Sequence, residues 1–446
     1  MAFIKSDHRG VGCHTVELSE EMTSGLDIFD MPKADTSIKS GKTVYHHLST
    51  AINENNNVFE FIIPSENHEY TYLPLTRLEG QLQICKLDNS ALVNEDIVIP
   101  TNLLSNTIFR QVEVELNGVQ VSDLSSPTYH YKAYIEAHLT YGKDPKRGHL
   151  KNALYTKEIA GKEESMDVAQ EMYIERRAWL TKDAGKVNFS TPLYIDLFDS
   201  QRYLIPGSTL KIKLIKNEDK VCLLSSAANA ASYKIKINKL CISTRKLTIH
   251  DEIVERHSQM LLKQPAIYPI AQSKIRTYTI NQGLSATTIA NVFNGKLPRT
   301  AIIGMVRSDA FNGTIERNPF FFQHFNLNYF ALVVNGSPMP ATVFQPDFTK
   351  RDCSREYAHF LDNLGVGNSN EHNDVDIYNF ESGSCFFPFD FTPDYCNSYH
   401  NHSAQSGTAN IELRFSQPLA QNVTLIVYGT YNEVLTIDGT GKVMLQ

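Results

Sequence analysis

The 446-residue chain lacks the marks of several large protein classes. No apolar run reaches the 18–20 residues that a membrane-spanning helix needs, and MAFIKSDHRGVG at the start has no apolar core of a secretory signal. Basic residues are not in excess. The formal net charge of −7 gives no positive stripe to displace the counterions of a nucleic acid. The only basic cluster, KDPKRGHLK at 143–151, contains Pro145 and Gly148 and reads as a solvated loop. The seven cysteines are odd in number, unevenly spaced and without a CxxC pair, the pattern of reduced thiols in a cytosolic or nuclear setting. Sequons such as Asn188-Phe189-Ser190 and Asn422-Val423-Thr424 are then chance matches. Trp179 is the sole tryptophan, against 23 Phe and 21 Tyr, residues that favour strands.

Catalytic constellations are scarce as well. GTGK at 439–442 has neither the GxxxxGK spacing nor the Ser/Thr of a phosphate loop and reads as a turn. Cys396, His400 and His402 resemble a metal cluster. HNH has the spacing of cupin ligands, but it sits in a polar loop with no second pair nearby, so a loop is the reading kept. Asp374 and Asp376 could form a carboxylate pair for glycoside hydrolysis, and a strand start with outward acids explains them equally. No GxSxG, HExxH or Cys–His pattern occurs. No catalytic, cofactor-binding or metal residue is assigned, no cofactor is expected, and the chain reads as structural, not enzymatic.

What is present is a duplicated β pattern. Strand-like segments bounded by Asn, Pro, Gly or Asp run through VFEFIIP (58–64), TRLEGQLQICKL (76–87), DIVIP (96–100) and IFRQVEVELNG (108–118). YHYKAYIEAHLTYG at 129–142 has helical spacing, with Gly142 as a C-terminal cap. Residues 156–187 are densely charged and read as a long exposed excursion with a short helix over about 165–180. Strands resume at PLYIDLF (192–198), STLKIKLI (208–215) and SYKIKINKLCIS (232–243). After a linker-like stretch at 250–269 the programme restarts. SKIRTYTINQG (273–283), LPRTAIIGMVRS (297–308), NPFFFQHFNLNYFALVVNG (318–336), CFFPFDF (385–391), ANIELRF (409–415) and NVTLIVYGTYNEVLTI (422–437) are strand-like.

The two halves align in register. Arg77 matches Arg299 at an offset of 222, Asn117-Gly118 matches Asn335-Gly336 at 218, and Tyr134 and Gly142 match Tyr357 and Gly365 at 223. Asp196 matches Asp390 at 194, as a longer charged excursion in the first copy requires. Asn-Gly suits two-residue hairpin turns, because both positions tolerate φ > 0. About eight strands per copy, with long excursions and a helix, give an all-β fold of two tandem eight-stranded jelly rolls, a double jelly roll with short helices in the excursions. Paired immunoglobulin-like sandwiches need shorter copies. The expected division is a 1–40 N-terminal arm, a 41–250 first jelly roll, a 251–268 linker and a 269–446 second jelly roll. Residues 1–20 read equally as a disordered tail, whereas Leu26, Ile28, Phe29 and Met31 favour docking beyond that point. Phe320–Phe322 and His324 first suggest a binding site. Their place in the repeat makes Phe320–Phe322 better candidates for core or inter-subunit packing.

LDIFDMPKADTSIKSG, VFEFIIPSENHEYTYLPLTRLEGQLQI, LYIDLFDSQRYLIPGSTLKIKL, NPFFFQHFNLNYFALVVNGSPMP with FQPDF, FFPFDFTPD and ANIELRFSQPLAQNVTLIVYGTY cover almost the whole chain. In that order they resemble the double jelly-roll major capsid proteins of Polinton (Maverick) elements, adintoviruses and virophages, relatives of the adenovirus hexon. The NPFFF–VNG–P–PDF block and FDFTPD are most similar to the Polinton and adintovirus branch. The resemblance implies a viral structural protein of the virion. Such a protein would form homotrimeric, pseudo-hexameric capsomers that tile an icosahedral capsid around double-stranded DNA and would be assembled in the host cytoplasm or nucleus. Partners would be the chain itself, neighbouring capsomers and penton or minor capsid proteins, with no sequence-specific nucleic acid and no membrane insertion. Loops 156–187 and 366–384 would form an outward tower, and the arm would lie inside. A carbohydrate-binding or cupin-like jelly-roll protein is the alternative, one in which His400 and His402 would matter. A minor capsid or penton component is a third reading, disfavoured by the length and the repeat.

Overall fold

The structure is a computed structural model. It describes residues 36–53, 56–66, 68–93, 95–181, 185–226, 233–367, 369–370, 372–393, 403 and 405–445. Most of the expected arm, and Cys396, His400 and His402, lie outside the described residues.

The first half forms β1 (Ile38–His47), β2 (Val58–Ile63), β3 (Glu69–Lys86), β4 (Phe109–Leu116), β5 (Val119–Gln120), β6 (Lys186–Pro192), β7 (Leu210–Lys216) and β8 (Tyr233–Ile249). The second half forms β9 (Ala266–Ile280), β10 (Ala286–Lys296), β11 (Thr300–Arg307), β12 (Leu327–Val334), β13 (Ser337–Phe344), β14 (Phe386–Asp390), β15 (Ser406–Phe415) and β16 (Val423–Ile437). The first half pairs into sheets β1-β8-β3-β6 and β2-β7-β4-β5, and the second into β9-β16-β11-β14 and β10-β15-β12-β13. Adding eight to each strand number of the first half reproduces the second. Two jelly rolls of one topology lie in tandem.

Alternation explains the strands. In β7 Leu210, Ile212 and Leu214 face inward while the intervening lysines face out. In β8 a bulge between Ile237 and Lys239 flips the phase, so Ile235 and Ile237 and then Leu240 and Ile242 all reach the interior. β16 differs. From Val423 to Tyr431 every residue is buried, as a strand covered on both faces requires.

The longer helices are α1 (Tyr129–Thr140), α2 (Glu171–Thr181), α3 (Asp251–Leu261) and α4 (Ser354–Asn363), and among several single-turn helices is α5 (Ile377–Glu381). α1 and α4 follow the fifth and thirteenth strands, at equivalent points of the two rolls, and α3 lies in the linker-like stretch.

The repeat alignment holds at three of its four points. The backbone N–H of Asn117 donates to Thr209 O and that of Asn335 to Thr408 O, each at 2.9 Å. The two side-chain amides then accept from the same threonines' N–H groups, at 2.7 and 3.0 Å. Asn117 and Asn335 sit at φ 50° and 51°, as the turn demands. Arg77 lies between Ser243 of β8 and Pro192 of β6. Arg299 lies between Thr430 and Phe391, to which it is hydrogen-bonded through its backbone. Tyr134 and Tyr357 fall in α1 and α4, but of the glycines that follow only Gly365, at φ 71°, takes the left-handed conformation of a helix cap, whereas Gly142 is extended at φ −79° and leads into the next helical turn. Asp196 and Asp390 are not equivalent. Asp390 closes β14 opposite Thr300, the position of Thr191 in the first roll, whereas Asp196 sits in a 3₁₀ turn beyond β6.

Three local readings also change. PLYIDLF is that turn, not a strand, and the strand is the less apolar KVNFSTP before it. β10 escapes the alternation rule because it is a largely exposed edge strand, bulged at Asn291 with φ 55°. The stretch 143–151 is not a solvated loop but a helical turn followed by a 3₁₀ turn, and Lys146 within it is buried.

Candidate functional site: the seam between the rolls

The most elaborate chemistry in the described residues lies where the two halves meet, and α1 is its centre. Nine of its side chains are buried, too many for one amphipathic face. Tyr129, Ala133 and Ala137 enter the core of the first roll, while Tyr131, Tyr134, Ile135 and Leu139 enter that of the second. Tyr134 stacks on Phe320 with ring centroids 4.3 Å apart. Phe320 and Phe322 are fully buried. Phe322 packs on Phe386 at 4.3 Å, on the outer face of β14, while the neighbouring Phe387 stacks inward on Phe330 at 4.5 Å. Phe320 and Phe322 are therefore core, at the join of the rolls, whereas Phe321 between them is only half-buried. A Cβ on Gly304 would come within 2.6 Å of the Phe322 ring, which is why β11 carries glycine there.

Ion pairs and hydrogen bonds surround this aromatic wedge. Lys132 of α1 pairs with Asp196 at 2.6 Å, and Asp196 accepts from the backbone and hydroxyl of Ser273 on β9. Tyr428 of β16 donates to Glu136 at 2.7 Å, and burial raises the Glu136 carboxyl to about 7. The Lys146 ammonium donates to His138 O at 2.7 Å and to Asn373 O of the second roll at 2.5 Å, and burial lowers it to about 7. The His138 ring, held well below its usual range by burial, meets Ser384 Oγ at 2.8 Å.

The charged stretch 156–187 is not simply exposed: Glu158, Glu163 and Arg176 are buried. Arg176 pairs with Glu158 at 2.8 Å, and Asn318 donates to Glu158 and to Glu163 O, each at 3.1 Å. Arg317 pairs with Glu164 at 2.8 Å. Burial, reinforced by the nearby Glu158, raises Glu163 to about 8. Breaking a buried pair by removing one partner leaves a charge uncompensated, so each partner here is costly to lose.

The carboxylates singled out in sequence have structural partners. Asp374 pairs with Lys157 across the seam at 2.8 Å. Asp376 caps α5 by accepting from Asn379 N at 2.8 Å, so these acids precede a helix and not a strand. His324 stacks on Phe348 at 4.0 Å and accepts from Asn326 N. The GTGK turn is organised by Asp438, which accepts from Thr440 N and Lys442 N. Among the described residues no group of three or more His, Cys, Asp or Glu could hold a metal ion, and Cys85, Cys222, Cys241, Cys353 and Cys385 are buried. Among them, too, no helix is long and apolar enough to cross a membrane. No signal in the sequence marked Lys146, Glu136 or Glu163, because each acquires its meaning from a distant partner.

No family model matches the chain. An uncharacterised protein of Caenorhabditis elegans is 22% identical over 420 residues, covering 92% of this chain and 97% of its own length. Among solved structures, a chain of the Sputnik virophage superposes with a TM-score of 0.63 at 10% identity, over 95% of this chain and 91% of its own. The Faustovirus major capsid protein gives 0.57 at 10%, over 93% of both chains. The mavirus major capsid protein gives 0.54 at 12%, over 96% of this chain and 94% of its own. These likenesses establish the fold as the double jelly roll.

Proposed function

We propose that the chain is a structural major capsid protein, a homotrimer whose pseudo-hexameric capsomers tile an icosahedral shell around double-stranded DNA. The observation that carries this reading is the seam. Two rolls of one topology are joined by a buried aromatic wedge and by ion pairs that run from one half to the other, Lys157–Asp374 and Glu164–Arg317. Two fixed rolls per chain and three chains per capsomer give six similar sectors, so a duplicated domain converts three-fold symmetry into a hexagonal tile. The major capsid proteins that share the fold support the same reading. The division into a 1–40 arm, 41–250 and 269–446 rolls and a 251–268 linker goes with it, as do self-association, contacts with neighbouring capsomers and penton or minor capsid proteins, and residence in the virion.

The test is light scattering of the purified chain with negative-stain microscopy. A salt-independent particle of the mass of three 50.4 kDa chains, with a three-fold hexagonal outline, is expected. A salt-independent monomer overturns the proposal.

A further inference from the structure

α3 is an amphipathic helix in which no residue is buried, although its apolar residues line a cleft. That cleft has a volume of about 480 Å³ and is bounded by Tyr203, Ile205, Ile253, Met260, Leu261 and Tyr268. It lies where the linker crosses from the first roll to the second. Its wall is bridged by a 2.8 Å hydrogen bond between Tyr70 and His257. Around it apolar surface stays open to solvent: Met260 is 46% exposed, Ile267 48% and Leu262 85%. A strip of this kind on a single chain marks an interaction surface.

The chain itself leads to this place. Thr36 is the first described residue, and Ser37 lines the cleft, its carbonyl accepting from His250 N at the start of α3 at 3.0 Å. Shortly upstream stands LDIFDM, residues 26–31, with four large apolar side chains in six positions. Ser37 follows Met31 by six positions, and six residues span at most about 20 Å, so reach is no obstacle. Charge agrees as well. The cleft carries Arg202, and the segment carries Asp27 and Asp30.

We infer that this cleft is the docking site of the chain's own segment 26–31, with Phe29 and Met31 as anchors against Ile253, Met260 and Tyr203. Docking there covers the open face of α3 and clamps the linker between the rolls. The inference does not depend on the capsid reading, since it concerns one chain.

Hydrogen exchange on the full-length protein tests it. Phe29→Asp combined with Met31→Asp is expected to speed exchange of the α3 amides roughly ten-fold or more while the sixteen strands stay as protected as before. Met260→Asp, which alters the cleft and leaves the segment intact, should do the same. Unchanged exchange in α3 with the double variant overturns the proposal. A Phe29→Cys, Met260→Cys pair under mild oxidation should give a cross-link within one chain. No cross-link, or a cross-link only between chains, overturns it too, the latter assigning the cleft to a second copy.

Discussion

The two rolls share a frame and differ in what fills it. Their strands pair in the same order, and their Asn-Gly turns make the same hydrogen bonds to equivalent threonines. Yet five phenylalanines are buried in the first core and twelve in the second, among the described residues. The helices at equivalent positions serve different masters. α4 stays on its own roll, with Phe360 in its core, whereas α1 is shared, with Tyr129, Ala133 and Ala137 in the first core and Tyr131, Tyr134, Ile135 and Leu139 in the second. The frame is set by strand pairing and turn chemistry, which each copy carries within itself. The filling answers to whatever lies next door, and only the first copy has a second roll downstream to serve. A duplication can therefore keep its topology while its cores diverge.

The largest expected effect tests that asymmetry of helices. Tyr134→Ala should cost about 3–5 kcal/mol in urea unfolding, because it opens a cavity between Phe320 and α1. Tyr357→Ala, in the matching helix but only half-buried, should cost about 1–2 kcal/mol. Equal losses would break the comparison.

The ionic lattice should show itself in pH dependence. Glu163, raised from 4.5 to about 8, contributes stability that is complete below pH 4.5 and is lost as pH rises through about 8. Glu136 behaves in the same way up to about 7. Lys146, lowered from 10.5 to about 7, acts in the opposite sense: its contribution is complete above 10.5 and is lost as pH falls through about 7. Glu163→Gln keeps the neutral shape, so the fall in unfolding midpoint between about pH 5 and 8 should flatten. The flattening should amount to as much as a few kcal/mol, since each tenfold difference in proton affinity is worth roughly 1.4 kcal/mol. An unaltered slope would mean that Glu163 is not the group responsible.

Gly304→Ala forces a methyl against the Phe322 ring and should cost about 1–3 kcal/mol, read as a lower thermal midpoint. The smallest effect concerns the turns. Asn335→Ala should cost about 1 kcal/mol. Asn117→Ala should cost somewhat more, since the Asn117 amide also donates to Gly441 O of the second roll at 2.8 Å. Should Asn335 prove the costlier, the first turn does not help to join the rolls.

The sequence by itself determined the strand programme, its repetition and the two turns, because alternation and Asn-Gly chemistry act within a few residues. It also determined that α1 is a helix. Where the local signal was weak, as in the exposed and bulged β10, or where a strand is mostly polar, as in KVNFSTP, the reading failed. Only the tertiary structure decided that α1 serves both rolls, that Lys146 is buried beneath Asn373, and that Asp374 is a seam residue paired with Lys157. It also decided that Glu158 and Arg176 lie inside what reads as a charged excursion. The physical reason is common to all of these. Desolvation and pairing depend on partners more than 150 residues away, or on the surface that such partners cover, and no spacing within a segment records them.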